Sequence, residues 1–291
     1  MTTLHLIPLD PAYPPRLRTL ARPPSSLSWR GGPLDAERVV AVVGSRAAHP
    51  EAQSFASTLA AALVRAGAVV ASGGALGIDA AAHRGALDAG GRTWVVAGTG
   101  CDHCFPPEHA GLFERIAQGP GGVLWPFLPS SEARGGSFVA RNRVLAALAD
   151  AMVVVQAGLP SGALNAAAAA RRLARPLWVV PAPPWLGSAF DGSRRLLDQG
   201  ARPLHSLESL LGSLALTSAS PTAPSSPPLR PLSDTEAAVL RATSEVPLHL
   251  DEIASRAHSA APAVMAALLT LALEDVVVEG PPGFFRHRNR P

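Results

Sequence analysis

Apolar positions along this chain gather into short β-branched runs that stop abruptly at small residues, each followed by a segment of helical spacing. Residues 39–43 (Val-Val-Ala-Val-Val) are the clearest run and end at Gly44-Ser45-Arg46. Pro50 suits the first turn of the helix that follows, and Phe55, Leu59, Leu63 and Val64 place an apolar stripe along it. After Gly67 a second run, 68–71, opens into Ser72-Gly73-Gly74-Ala75-Leu76-Gly77. Asp79 then falls in the first turn of a helix that Gly90-Gly91 stops. Residues 93–97, 121–125, 151–155 and 177–180 read as further strands, with helices at 112–116, 138–148 and 194–199 and an alanine-rich one capped by Ser161. Strands alternating with helices predict an α/β fold with a parallel sheet, whose strand ends are where ligands bind.

The two ends of the chain break this rhythm. Residues 1–37 are rich in proline and poor in periodicity, and read as an N-terminal extension without a complete helical domain, with a short strand expected around Ser26–Trp29 before Gly31-Gly32. Residues 38–211 form the α/β domain. From 212 to 231 the composition shifts to Ser, Pro, Thr and Ala, which predicts a linker stiffened by its prolines. Residues 232–291 then show a capping-box start at Ser233-Asp234-Thr235-Glu236 and two further helical patterns. A hairpin at 276–279 and 284–287 follows, completing the outline of a small winged-helix domain.

A hydrophobic fraction of 47% over 291 residues suffices for two such cores. The net charge is only +3, yet the chain contains no lysine, so every cation of its 25 basic side chains is a guanidinium. Codon bias explains that plainly; it also favours planar, bidentate grips on phosphate. Two cysteines build no disulfide framework, no signal peptide pattern opens the chain, and no apolar run reaches membrane-spanning length. The expectation is a cytoplasmic protein with no membrane contact.

Three glycine or serine corners follow strands and so share the carboxyl edge of one sheet: Gly44-Ser45-Arg46, Ser72-Gly73-Gly74 with Gly77, and Ser161-Gly162. Any tight strand-to-helix turn needs glycine whatever binds there. Three at one edge, one carrying Arg46, favour a phosphate site of backbone N–H groups and helix N-termini. Arg141-Asn142-Arg143 is a second cluster. At about 100° per helical residue Arg141 and Arg143 cannot share a face, so one reaches the site while the other packs or pairs; a solvated helix start is the plain alternative. Phe138 lies on the side of Arg141, placed to stack a base or to fill core. Cys101-Asp102-His103-Cys104 lacks the second ligand pair of a zinc site and the helix start of a redox motif, so neither metal nor redox chemistry is assigned. His83 reads as a packing or hydrogen-bonding residue, and Asp79 as a helix cap or a partner of Arg46. Neither a Gly-x-x-x-x-Gly-Lys loop nor a Gly-x-Gly-x-x-Gly turn after the first strand is present, and no catalytic set or cofactor is assigned.

Taken together, Gly44-Ser45-Arg46, the stretch from Ser72 to Asp79 with His83, Arg141-Asn142-Arg143, Ser161-Gly162-Ala163-Leu164 and Gly200-Ala201 resemble the bacterial DNA-processing family DprA (Smf). The resemblance covers residues 9–205. It implies an extended Rossmann-like domain that binds single-stranded DNA in natural transformation, protects incoming strands and loads the RecA recombinase, as a homodimer and without enzymatic activity. It places Arg46, Ser72, Gly73, Phe138, Arg141 and Ser161 around the strand. Two alternatives stand beside it. One is a Rossmann-like nucleotide phosphoribohydrolase, although Pro120-Gly121-Gly122 lacks the continuation of that loop. The other is a regulator that reads duplex DNA through the winged helix.

Overall fold

The computed structural model describes residues 2–182, 184–216, 232–244, 246–273, 276–280 and 283–287. It falls into two compact units, Met1–Pro221 and Thr222–Pro291.

Among its described residues the larger unit carries one nine-stranded sheet: β1 (Leu4–Leu6), β2 (Leu27–Gly31), β3 (Val39–Val43), β4 (Val69–Ser72), β5 (Thr93–Val96), β6 (Gly122–Trp125), β7 (Ala151–Val154), β8 (Leu177–Val179) and β9 (Arg202–Pro203). Their order is β1-β2-β6-β5-β4-β3-β7-β8-β9. The β1–β2 and β2–β6 pairs are antiparallel and the rest parallel. The helices are α1 (Pro15–Arg18), α2 (Pro50–Arg65), α3 (Ile78–Asp88), α4 (Ala110–Gln118), α5 (Gly135–Leu148), α6 (Gly162–Arg172), α7 (Asp191–Asp198) and α8 (Leu207–Ser213).

The period of two along β3 divides the core. Val39, Ala41 and Val43 pack with Leu145 and Leu148 of α5 and with the buried alanines of α6. Val40 and Val42 point the other way, against Leu59 and Leu63 of α2 and Ile78 of α3. The chain builds β3 to β6 in one direction, then returns to place β7 on the far side of β3. The loop after β3 therefore leads to a helix on one face and the loop after β7 to a helix on the opposite face. Between them a crevice opens at the carboxyl ends of the strands, where an α/β sheet binds its ligand.

Residues 2–37 correct the reading of an extension: β2 forms where a strand is expected, β1 joins it unannounced, and both are strands of this one sheet. Tyr13 and Leu17 are fully buried in the same core as Trp29. The Tyr13 hydroxyl donates to Pro24 O (2.9 Å), and Arg16 bridges to Asp150 (2.8 Å). Prolines hid these elements, since Pro15 opens a helix of only four residues. At the other boundary α8 runs to Ser213 and Leu214 is buried, so the fold extends past residue 211. Phe55, expected in the stripe of α2, is 40% exposed.

The smaller unit comprises α9 (Asp234–Ala242), β10 (Leu248–His249), α10 (Leu250–Arg256), α11 (Ala261–Leu273), β11 (Val277–Glu279) and β12 (Phe284–His287). The strands form an antiparallel sheet in the order β10-β12-β11. Ser233 and Glu236 close a reciprocal capping box, and Val239, Ile253, Leu268 and Phe285 meet in the core. Residues 217–231 of the expected linker lie outside the described residues. Among those described, no helix is long and apolar enough to cross a membrane.

Candidate functional site

The crevice at the β3/β7 switch holds a cavity of about 620 Å³, lined by the loop after β3, the glycine loop after β4 and the first turns of α5 and α6. Two helix N-termini thus converge on it with their positive dipole ends.

The loop after β3 is pinned from below. The Ser45 amide donates to Gln156 O (2.8 Å), and Ser45 O accepts from the Ile78 amide (3.2 Å). A Cβ at Gly44 would lie 2.5 Å from Ile78 Cγ1, so the close seat of α3 requires glycine there. Arg46 projects from this pinned loop, exposed and without an ion pair among the described residues. Its guanidinium sits over the Phe138 ring, 5.3 Å from the centroid. The Arg46 and Ala47 amides have no hydrogen-bond partner among the described residues.

The glycine loop departs from the expected phosphate cradle. Asp79 Oδ2 accepts from the Gly73 amide (3.1 Å) and the Ala75 amide (3.2 Å), so these two donors are engaged within the protein. Asp79 is a loop clamp, and not a partner of Arg46. Burial pushes its carboxyl up, opposed first by the Arg141 charge and then by the loop amides. Ser72 is corrected as a ligand: it is fully buried and donates to Val42 O (2.6 Å). Gly74 and Gly77 also serve the fold, with φ of +74° at both and Cβ positions that would strike Phe113 and the Ser45 carbonyl. Neither lines the cavity.

Arg141 and Arg143 divide as their spacing requires. Arg141 is 5% exposed; its Nη1 donates to Gly73 O and to Val96 O (2.6 Å), and its Nε donates to Asn142 Oδ1 (3.1 Å). Its Nη2 has no partner among the described residues. Burial pushes its pKa down, Asp79 opposes that, and Arg46 adds to it. Asn142 Nδ2 also donates to Gly162 O, tying α5 to the start of α6. Arg143 is corrected as a site residue: it donates to Arg22 O (2.9 Å) and does not line the cavity. Ser161 caps α6 by accepting from the Ala163 amide (3.2 Å), and Gly162 lies exposed beside it.

The cavity thus brings together Gly44, Ser45, Arg46, Gly73, Phe138, Arg141, Asn142, Ser161 and Gly162 from the sequence reading. It adds Asn165, on the exposed first turn of α6, which sequence reasoning missed because a lone polar residue in an alanine-rich helix carries no signal. His83, in α3, is fully buried. The Thr93 hydroxyl is spent on Val70 O, so His83 Nδ1–H donates to Thr93 Oγ1 (2.7 Å). Burial, then His109, Arg141 and Arg84, push the imidazole down to about 3. Cys101 and Cys104 are free thiols, and burial pushes Cys104 up.

Residues 5–215 match the family described as DNA recombination-mediator protein A, and residues 223–283 match the DprA winged helix domain. A putative DNA processing protein DprA of Mycobacterium tuberculosis is 47% identical over 178 residues, 60% of this chain and 45% of that protein. The chain therefore spans about half the length of that relative. Protein Smf of Escherichia coli is 30% identical over 293 residues, covering 98% of this chain and 78% of its own. Among solved structures, DNA processing protein A of Helicobacter pylori, described for its single-stranded DNA binding mode, superposes with a TM-score of 0.65. It shares 31% identity and covers 73% of this chain and 95% of its own. DprA of Streptococcus pneumoniae gives 0.67 at 32% identity, covering 72% and 73%.

Proposed function

The chain belongs to the DNA recombination-mediator protein A family, and on that premise we propose that its larger unit holds single-stranded DNA in the β3/β7 crevice without acting as an enzyme. The observation that carries this reading is Arg46: an exposed guanidinium on a pinned loop, over an aromatic ring and beside a second, buried guanidinium. Arg46 grips a phosphate, the free Nη2 of Arg141 supports it from the floor, and Phe138 offers its π-face to a base. Such contacts need no base-edge readout, so they tolerate any sequence. The family further supports protection of the bound strand, delivery to the RecA recombinase and work as a homodimer in natural transformation.

A phosphoribohydrolase needs a carboxylate at the sugar. The carboxylate that lines this cavity is Asp79, buried and clamped on two loop amides, which disfavours that alternative. Duplex reading through the winged helix is disfavoured by α11 itself. Its sequence, Ala-Pro-Ala-Val-Met-Ala-Ala-Leu-Leu-Thr-Leu-Ala-Leu, offers no Arg, Lys, Asn or Gln to a base edge.

Fluorescence anisotropy with a labelled oligothymidylate and a duplex of equal length tests the reading. Tighter binding of the single strand is expected. Equal affinity for both overturns it, and release of free base from a nucleoside monophosphate panel points to the hydrolase.

A further inference from the structure

The aromatic surface of the site continues past the cavity. Phe105, in the loop after β5, is 37% exposed and does not line the crevice. Its ring lies against Phe138 with centroids 5.4 Å apart and planes tilted by 52°. Arg46 and Arg141 contact the same Phe138 ring, at 5.3 and 5.9 Å from its centroid. Guanidinium, ring and ring therefore form one continuous surface from the switch point toward β5.

The loop that carries Phe105 is held on both sides. The Gly100 amide donates to Ser131 O (2.8 Å), the Asp102 amide to Pro129 O (3.1 Å), and the Thr99 hydroxyl to His103 O (2.9 Å). Beyond Phe105, buried His109 donates through Nδ1–H to Gly74 O (2.8 Å), locking this loop to the glycine loop after β4. Ser137 donates to Gly98 O (2.7 Å), and a Cβ at Gly98 would lie 2.6 Å from the Phe138 ring. Both rings are thus fixed before any ligand arrives, so stacking on them costs little ordering.

We propose that Phe105 is a second base-stacking platform, taking the base next to the one on Phe138 and directing the strand along the sheet edge from β7 toward β5. This rests on the reading of the crevice as a single-strand site. An exposed phenylalanine alone is ordinary on a protein surface. The distinguishing feature is its fixed contact with the aromatic ring that already carries Arg46.

The test compares a twelve-nucleotide oligothymidylate with an abasic strand of the same length. Each is titrated into the full chain as wild type, Phe105→Ala, Phe105→Tyr and Arg46→Ala. Loss of one stacked base, about 1–3 kcal/mol, weakens binding by about 5- to 150-fold. Phe105→Ala is expected to lose that much on thymidylate and nothing on the abasic strand, with Phe105→Tyr restoring wild-type affinity. Wild-type affinity of Phe105→Ala on thymidylate overturns the proposal, as does equal weakening on both strands, which would make Phe105 a packing residue. Failure of the wild type to bind either strand, or Arg46→Ala binding both as wild type does, removes the underlying reading and is a separate outcome.

Discussion

Replacing Gly73 by alanine adds one methyl group at the tightest point of the site. Its Cβ would lie 2.5 Å from Arg141 Cζ and Nη2 and closer still to Nη1. That guanidinium has little freedom to yield, since it is buried and tied to Gly73 O and Val96 O. The fold has two responses. Keeping Arg141 in place costs overpacking of about 1–3 kcal/mol. Expelling it forfeits charge-assisted bonds worth about 1.5–3 kcal/mol each and leaves Asp79 without its cation. The cheaper response sets the cost, so Gly73→Ala is expected to lose about 1–3 kcal/mol and never more than Arg141→Ala, at about 3–5 kcal/mol. Once Arg141 is truncated the methyl has room. The double variant should therefore be about as stable as Arg141→Ala alone, a coupling of about 1–3 kcal/mol. All five tryptophans lie within residues 1–221, so their fluorescence in urea follows the larger unit by itself. Costs that add to within about 0.5 kcal/mol refute the contact on which this reasoning depends.

Two further outcomes follow from the same geometry. His83 stays neutral in the fold with its pKa lowered to about 3, whereas the unfolded chain takes up that proton below about pH 6.5. Its contribution is complete above that pH and is lost as pH falls toward 3, by at most about 1.4 kcal/mol per pH unit. His83→Gln should flatten the stability profile between about pH 6.5 and 4.5, and an unchanged slope in urea melts contradicts this. Arg143→Ala removes only a bond to Arg22 O outside the cavity, so oligothymidylate affinity should stay within about twofold of wild type by anisotropy. A tenfold loss would place Arg143 back in the site.

Legibility from sequence tracked how local the cause was. Residues 39–43 form β3 as read, and Ser161 caps α6, because β-branched runs and cap chemistry act over a few residues. Of the two N-terminal strands, β2 forms where the residues before Gly31-Gly32 predict it, whereas β1 and the buried Tyr13 owe their place to packing into a distant core, which no short window shows. The glycine corners were located correctly, but their division of labour was not. Asp79 consumes two of the amides a phosphate would use, and Ser72 turns inward, facts that depend on which atoms meet across β3 and β4. Helical spacing separated Arg141 from Arg143 without saying which one enters the crevice. No local signal ties Phe105 to Phe138, since their contact joins the loop after β5 to the first turn of α5 through the sheet order.

The central claim is that Arg46 makes a phosphate contact with an unpaired strand. Its most direct test is the salt dependence of oligothymidylate binding by wild type and Arg46→Ala, with urea melts confirming equal stability. One lost phosphate contact reduces the slope of log affinity against log salt by about 0.7 for a single strand. A weaker complex with a slope shallower by about that amount is the predicted result. Parallel slopes, with affinity unchanged, would contradict it.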